Sequence, residues 1–158
     1  MRKWVIRVLL GVVVVLVVGQ LIRPNRINPP IVAENEIQAH LDTGPAVEAI
    51  FSRSCNDCHS NKTVWPWYTN IAPVSWLVAW DVARGRRELN FSEWGTYSAK
   101  RTAKKLEETC KELTEGEMPP GIYTLPHPNA KLSPADVETV CRWTKSVGRT
   151  EAVSTGAQ

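Results

Sequence analysis

Residues 55–59 read Cys55-Asn56-Asp57-Cys58-His59, and the C-x-x-C-H spacing of this pentapeptide governs how the rest of the chain is read. It is the attachment pattern of a covalently bound c-type haem. Two thiols add across the two vinyl groups on one porphyrin edge, and the imidazole that follows ligates the iron. Two other chemistries use part of the pattern. A thioredoxin-like dithiol has no need of His59, and half of a zinc site needs two further Cys or His ligands at suitable spacing. The chain has no second C-x-x-C and no H-x-x-x-H. The pattern ahead of Cys55 is helical rather than βαβ, so haem c with its iron is the expected cofactor.

A c-type haem calls for an oxidising compartment, and the N-terminus offers a route to one. Arg2, Lys3 and Arg7 precede an apolar stretch from Val8 to Ile22, broken only by Gly11, Gly19 and Gln20. With Trp4 to Ile6 the span approaches the roughly 20 residues a bilayer requires, and no A-x-A cleavage site follows. Residues 1–22 are therefore expected to be a single transmembrane anchor, the alternative being a signal peptide cut near Gly19. Positive charge on the inside predicts the bacterial inner membrane with the haem domain facing the periplasm, although Arg23 and Arg26 weaken the asymmetry.

The three n-region cations account for the formal net charge of +3, so the remainder is neutral and gives no electrostatic case for nucleic acid. Cations gather at Arg84, Arg86, Arg87, Lys100, Arg101, Lys104 and Lys105, with acids just downstream at Glu107, Glu108, Glu112, Glu115 and Glu117. Two solvated helix faces explain this better than a docking surface. Pro24, Pro29 and Pro30 make residues 23–40 a linker. Residues 41–148 are long enough for one small core, and 149–158 read as a disordered tail.

Within the domain the apolar period is helical. Thr43 is placed to cap a helix with Pro45 in its first turn and a Val47, Ile50, Phe51 stripe that delivers Cys55. After Pro73, the residues Trp76, Leu77, Trp80 and Ala83 share one face before Gly85. From Ser98 to Leu113 the apolar positions are Ala103, Leu106, Cys110 and Leu113, with Lys100 to Lys105 on the wet side. Ser133-Pro134-Ala135-Asp136 opens a last helix on which Val137, Val140, Cys141 and Thr144 share a face. Strand patterns are absent, and the class is all-α.

An electron-transfer haem needs a second axial ligand, and Met118, in Glu117-Met118-Pro119-Pro120-Gly121, is the only methionine after the initiator. A thioether in a proline-stiffened loop suits the role, with His127 and His40 as rival ligands. Trp65, Trp67, Trp76, Trp80 and Tyr68 concentrate aromatic area after the motif. They can wall a haem and hydrogen-bond its propionates, or serve as ordinary core aromatics. A backbone carbonyl near Pro66 or Pro73 is expected to orient the His59 imidazole. Cys110 and Cys141 lie on apolar helix faces, and in an oxidising compartment a disulfide is favoured over two buried thiols.

The stretch from Cys55 to Trp94, together with Gly116-Glu117-Met118-Pro119-Pro120, His127-Pro128 and Leu132-Ser133, resembles the bacterial haem-binding domain family related to cytochromes c. The resemblance runs from Ile37 to Val147. It implies a cytochrome c-like helical fold, thioether links at Cys55 and Cys58, and axial ligation by His59 and Met118. The expected function is one-electron transfer by a membrane-tethered monohaem domain with unidentified redox partners, and not an enzyme. The alternatives are a peroxidase-like haem enzyme, for which no distal His and Arg pair is identifiable, and a haem-based sensor or interaction module.

Overall fold

A computed structural model describes residues 2–156, and among these residues there is no strand. Seven α-helices follow one another: α1 (Arg2–Gly19), α2 (Gly44–Ser54), α3 (Asn56–His59), α4 (Val74–Glu88), α5 (Ala99–Thr114), α6 (Gly121–Thr124) and α7 (Pro134–Gly156). Short 3-10 turns at Ala33–Asn35, Ile37–Ala39, Trp67–Asn70, Phe91–Thr96 and Pro128–Ala130 fill the connections. The expected all-α class is what the chain adopts.

Phe51 is the centre of the core. It stacks on Phe91 at 4.5 Å between ring centroids and meets the edge of Trp143 at 5.4 Å. Such pairs contribute about 0.5–1.5 kcal/mol each beyond the area they bury. The expected α2 stripe of Val47, Ile50 and Phe51 is buried, and so are Val140, Cys141 and Thr144 of α7. Leu106 and Leu113 of α5 close the cluster. A disulfide between Cys110 and Cys141 joins α5 to α7, with Cα atoms 4.8 Å apart. Closing a loop of this length stabilises the fold by about 3–4 kcal/mol on the chain-entropy account.

The start of α7 forms a reciprocal cap. Ser133 N–H donates to Asp136 Oδ2 at 2.8 Å, and Asp136 N–H donates to Ser133 Oγ at 3.2 Å. The same carboxylate receives Arg53 of α2 at 2.7 Å, tying the helix that carries the motif to α7. Thr43 stands at the N-terminal position of α2 as expected but does not cap it; its hydroxyl donates to Glu48 instead.

Several expectations change. The face of α4 bearing Trp76, Leu77, Trp80 and Ala83 points outward, and the buried residues are Ser75 and Val82. Residue size rather than hydrophobicity decided this, because the inward face must approach α3 closely at Gly85. The helix runs through Gly85 to Glu88. On α5, Thr102 is buried and Ala103 exposed, while Lys105 is largely covered and pairs with Glu108 at 2.7 Å. The helix α7 extends past the expected end of the domain to Gly156, and residues 157–158 of the expected tail lie outside the described residues.

Residues 20–40 form a strap across the domain rather than a free spacer. Arg26 donates to the carbonyl and hydroxyl of Thr69, each at 3.0 Å, and Asn28 donates to Thr63 O at 2.9 Å. Ile37 is fully buried. The end of α1 is also engaged: Gln20 exchanges hydrogen bonds with the Ala72 backbone at 3.1 and 3.2 Å, and Trp76 Nε1–H donates to Ile22 O at 2.7 Å. The α-helix therefore stops at Gly19, short of the expected span. Its 18 residues measure about 27 Å and include Arg2, Lys3 and Arg7. Among the described residues no helix is long and apolar enough to cross a membrane, so the expected transmembrane anchor is not met by α1.

The Asp136 cap generates a pH prediction. Arg53 and the Ser133 backbone hold the Asp136 carboxyl down at about 2 against an ordinary 3.8. Stability linked to a depressed carboxyl is present above the unfolded value and is lost as pH falls through the folded one, here from 3.8 to about 2. Asp136→Ala is expected to cost about 1 kcal/mol at neutral pH, measured as a Tm drop of several degrees. The difference between variant and parent should close over that acid window.

Candidate haem site

The motif starts at Cys55, the junction between α2 and α3, and takes in all of α3. The main chain turns at Cys55 (φ −124°, ψ −41°), and Cys58 and His59 N–H both donate back to Cys55 O, at 3.1 and 2.9 Å. Cys55 and Cys58 are free thiols, each half-buried. His59 Nδ1–H donates to two carbonyls at once, Gly85 O at 3.1 Å and Leu89 O at 3.0 Å. Both partners only accept, so the hydrogen is on Nδ1 and Nε2 keeps its lone pair, the state a metal-ligating imidazole requires. Burial holds the ring below its ordinary pKa, against the pull of the two carbonyls.

The orienting carbonyls are those of Gly85 and Leu89 at the end of α4, in place of one near Pro66 or Pro73. Gly85 makes this possible. A Cβ there would sit 2.5 Å from Cys58 O and 3.0 Å from Cys58 Cβ. The next residue, Arg86, donates from Nε to Ser60 O at 2.9 Å and from Nη2 to Asn28 Oδ1 and Thr63 Oγ1 at 2.8 and 2.7 Å. One turn of α4 thus fixes the imidazole, the chain after it and the strap together.

Burial is the first cause that lifts both thiols, Cys55 to about 12 and Cys58 to about 11. Asp57 and Asp81 add to the rise at Cys58. A reactive dithiol needs the opposite shift, toward thiolate at neutral pH, so a thioredoxin-like role does not fit. Among the described residues no group of three or more His, Cys, Asp or Glu side chains is placed to hold a metal ion, which leaves the zinc reading without its other ligands.

The other site candidates divide. Trp65 Nε1–H donates to Asn28 Oδ1 at 3.1 Å, so its donor is already used within the fold. Trp67 is 75 % exposed, its ring edge-on to Tyr68. Met118 is 38 % exposed in the turn after α5, its N–H donating to Glu112 O at 3.3 Å. The rival histidines are engaged: His127 Nε2 shares a hydrogen bond with Tyr68 O–H at 2.5 Å, and His40 Nε2–H donates to Glu34 O at 2.9 Å.

Sequence reasoning missed two contributors, Tyr123 and Asp57. Tyr123 O–H donates to Asp57 Oδ2 at 2.9 Å, and its ring stacks on His127 at 4.6 Å. The segments tied in this way to the motif leave Trp67, Met118, Ile122 and Leu125 open to solvent. Exposed apolar side chains on a segment bonded to the motif, together with two free thiols and an unprotonated Nε2, fit a haem, whose faces would cover them.

A small helical domain with this donor set defines a haem-binding protein. The chain belongs to the haem-binding domain family, whose match covers residues 14–146 and so takes in the last third of α1. No curated protein and no solved structure matches the chain.

The Gly85 approach carries a prediction. Gly85→Ala is expected to push α4 off Cys58 and away from His59, at an overpacking cost of about 1–3 kcal/mol. Its haem-to-protein absorbance ratio should fall well below the parent's. Gly148→Ala, whose Cβ would meet nothing closer than Leu106 at 4.0 Å, should leave the ratio unchanged.

Proposed function

We propose that the chain binds haem covalently as a c-type cytochrome domain and carries single electrons. The observation that carries this reading is the His59 ring, whose Nδ1 is held by Gly85 and Leu89 while Nε2 is left for iron, beside two unpaired thiols at C-x-x-C spacing. In this proposal Cys55 and Cys58 form the thioether links, and His59 and Met118 are the axial ligands. Haem iron supplies the one-electron couple, and a thioether ligand favours its ferrous state. The Gly85 and Leu89 carbonyls would keep His59 in one tautomer and one orientation. With both His59 and Met118 as ligands the iron would have no open position, which would weigh against a peroxidase-like activity.

After denaturation and acidified acetone extraction, the pigment is expected to stay with the polypeptide, and Cys55→Ser/Cys58→Ser should release it. The ferric protein should show the weak long-wavelength sulfur-to-iron band, lost in Met118→Ala. Complete extraction from the parent chain would reject covalent attachment.

Membrane association on the periplasmic side of a bacterial inner membrane belongs to the same proposal. It is supported by the exposed apolar side chains all around α1, from Trp4 to Val18, and by the Cys110–Cys141 disulfide, which suits an oxidising compartment. The full chain is expected to sediment with membranes in buffer of moderate salt, and a chain lacking residues 2–19 should not. Release into the supernatant would reject tight attachment through α1.

A further inference from the structure

The loop that carries Met118 is fixed at its upstream end, where Glu117 and Met118 N–H groups both donate to Glu112 O of α5, at 3.0 and 3.3 Å. Downstream it has little to hold it. Between Met118 and Ala130 no residue is fully buried, and Ile122 and Leu125 face solvent. The segment is nonetheless attached to the motif helix by one chain of side chains. Tyr123 O–H donates to Asp57 Oδ2, the Tyr123 ring lies on His127 with an interplanar angle of 18°, and His127 Nε2 is hydrogen-bonded to the Tyr68 hydroxyl. Asp57 is itself fixed, its Oδ1 accepting from Val64 N–H at 3.0 Å.

We propose that Tyr123 is a positioning residue for Met118, clasping the downstream arm of its loop to Asp57 inside the C-x-x-C-H motif and so setting the reach of the sulfur toward the iron held by His59. The inference rests on the reading of Met118 as the second axial ligand. The phenol is suited to the task. Burial first, and then the neighbouring Asp57 carboxylate, push its pKa up, so it stays a donor across the physiological range. A hydrogen bond to a carboxylate is charge-assisted and stronger than one between neutral groups. Asp57 lies one residue from Cys58 and two from His59, so the clasp transmits the position of α3 itself rather than that of a remote element. Tyr68 acts one step further out, through His127.

The test uses the full-length haem-loaded protein. In Tyr123→Phe the sulfur-to-iron band should weaken, and imidazole should bind ferric iron about tenfold more tightly or better, the loss of a charged hydrogen bond read as an equilibrium. Tyr68→Phe should shift both readouts the same way by less, and Asn129→Ala, exposed at the far end of the same segment and outside the candidate haem surface, should move neither. A merely structural Tyr123 would lower thermal stability and leave band and imidazole affinity at parental values, which overturns the proposal. A parent protein with no sulfur-to-iron band rejects the Met118 reading and the clasp with it. A parental band that persists unchanged in Tyr123→Phe rejects the clasp alone.

Discussion

The approach of α4 to the motif at Gly85 is the constraint on which the rest of the site depends. Because the residue has no Cβ, its backbone lies against the Cys58 carbonyl, and its own carbonyl reaches His59 Nδ1. The same register brings Leu89 O to the other side of that hydrogen and Arg86 into the loop after the motif. It also dictates the orientation of the whole helix. With Ser75, Val82 and Gly85 turned inward, the tryptophans of α4 have no choice but to face out, where Trp76 meets the end of α1 and Trp80 lies under the Arg84 guanidinium.

This explains what was legible in the sequence and what was not. The burial of α2 and α7 follows from stripes of large apolar residues at helical spacing, a signal that survives in any context. The opening of α7 was equally plain, because Ser133 and Asp136 carry their capping chemistry in their side chains. The α4 face was misread since its packing is decided by smallness, and an apolar stripe points to the core only when nothing demands a closer contact. The clue was present: a glycine inside a helix costs about 1 kcal/mol relative to alanine, so it marks a place where the backbone is approached. The His59 partners could not be read at all, because carbonyl acceptors belong to every residue alike. Tyr123 and Asp57 were illegible for another reason: they are 66 residues apart and each is unremarkable alone.

The proline-bearing segment after α1 illustrates a further limit. Prolines exclude a helix correctly, yet they say nothing about whether the extended chain is free or fastened. Here Arg26, Asn28 and the Pro30 carbonyl are all bonded to the domain, the last by Asn61 Nδ2 at 3.1 Å. Arg86 and Trp65 converge on Asn28 from the domain side. The strap therefore crosses the chain that follows His59, and the family match beginning at residue 14 includes it. Its hydrogen bonds hold the end of α1 to the body of the domain, so the exposed apolar helix and the candidate haem site are parts of one framework.

The electrostatics of the motif favour a pre-formed site over a reactive one. Burial raises both thiols and lowers the imidazole, so the charged form is disfavoured at each of them and Nε2 keeps its lone pair. Desolvation that disables a dithiol as a redox catalyst thereby prepares the histidine as a ligand, because it disfavours charge on either group. The imidazole has two acceptors on Nδ1, and rotating it away would forfeit both contacts and leave Gly85 O with only the Leu89 N–H. The α4 backbone thus supplies the orientation of the ring.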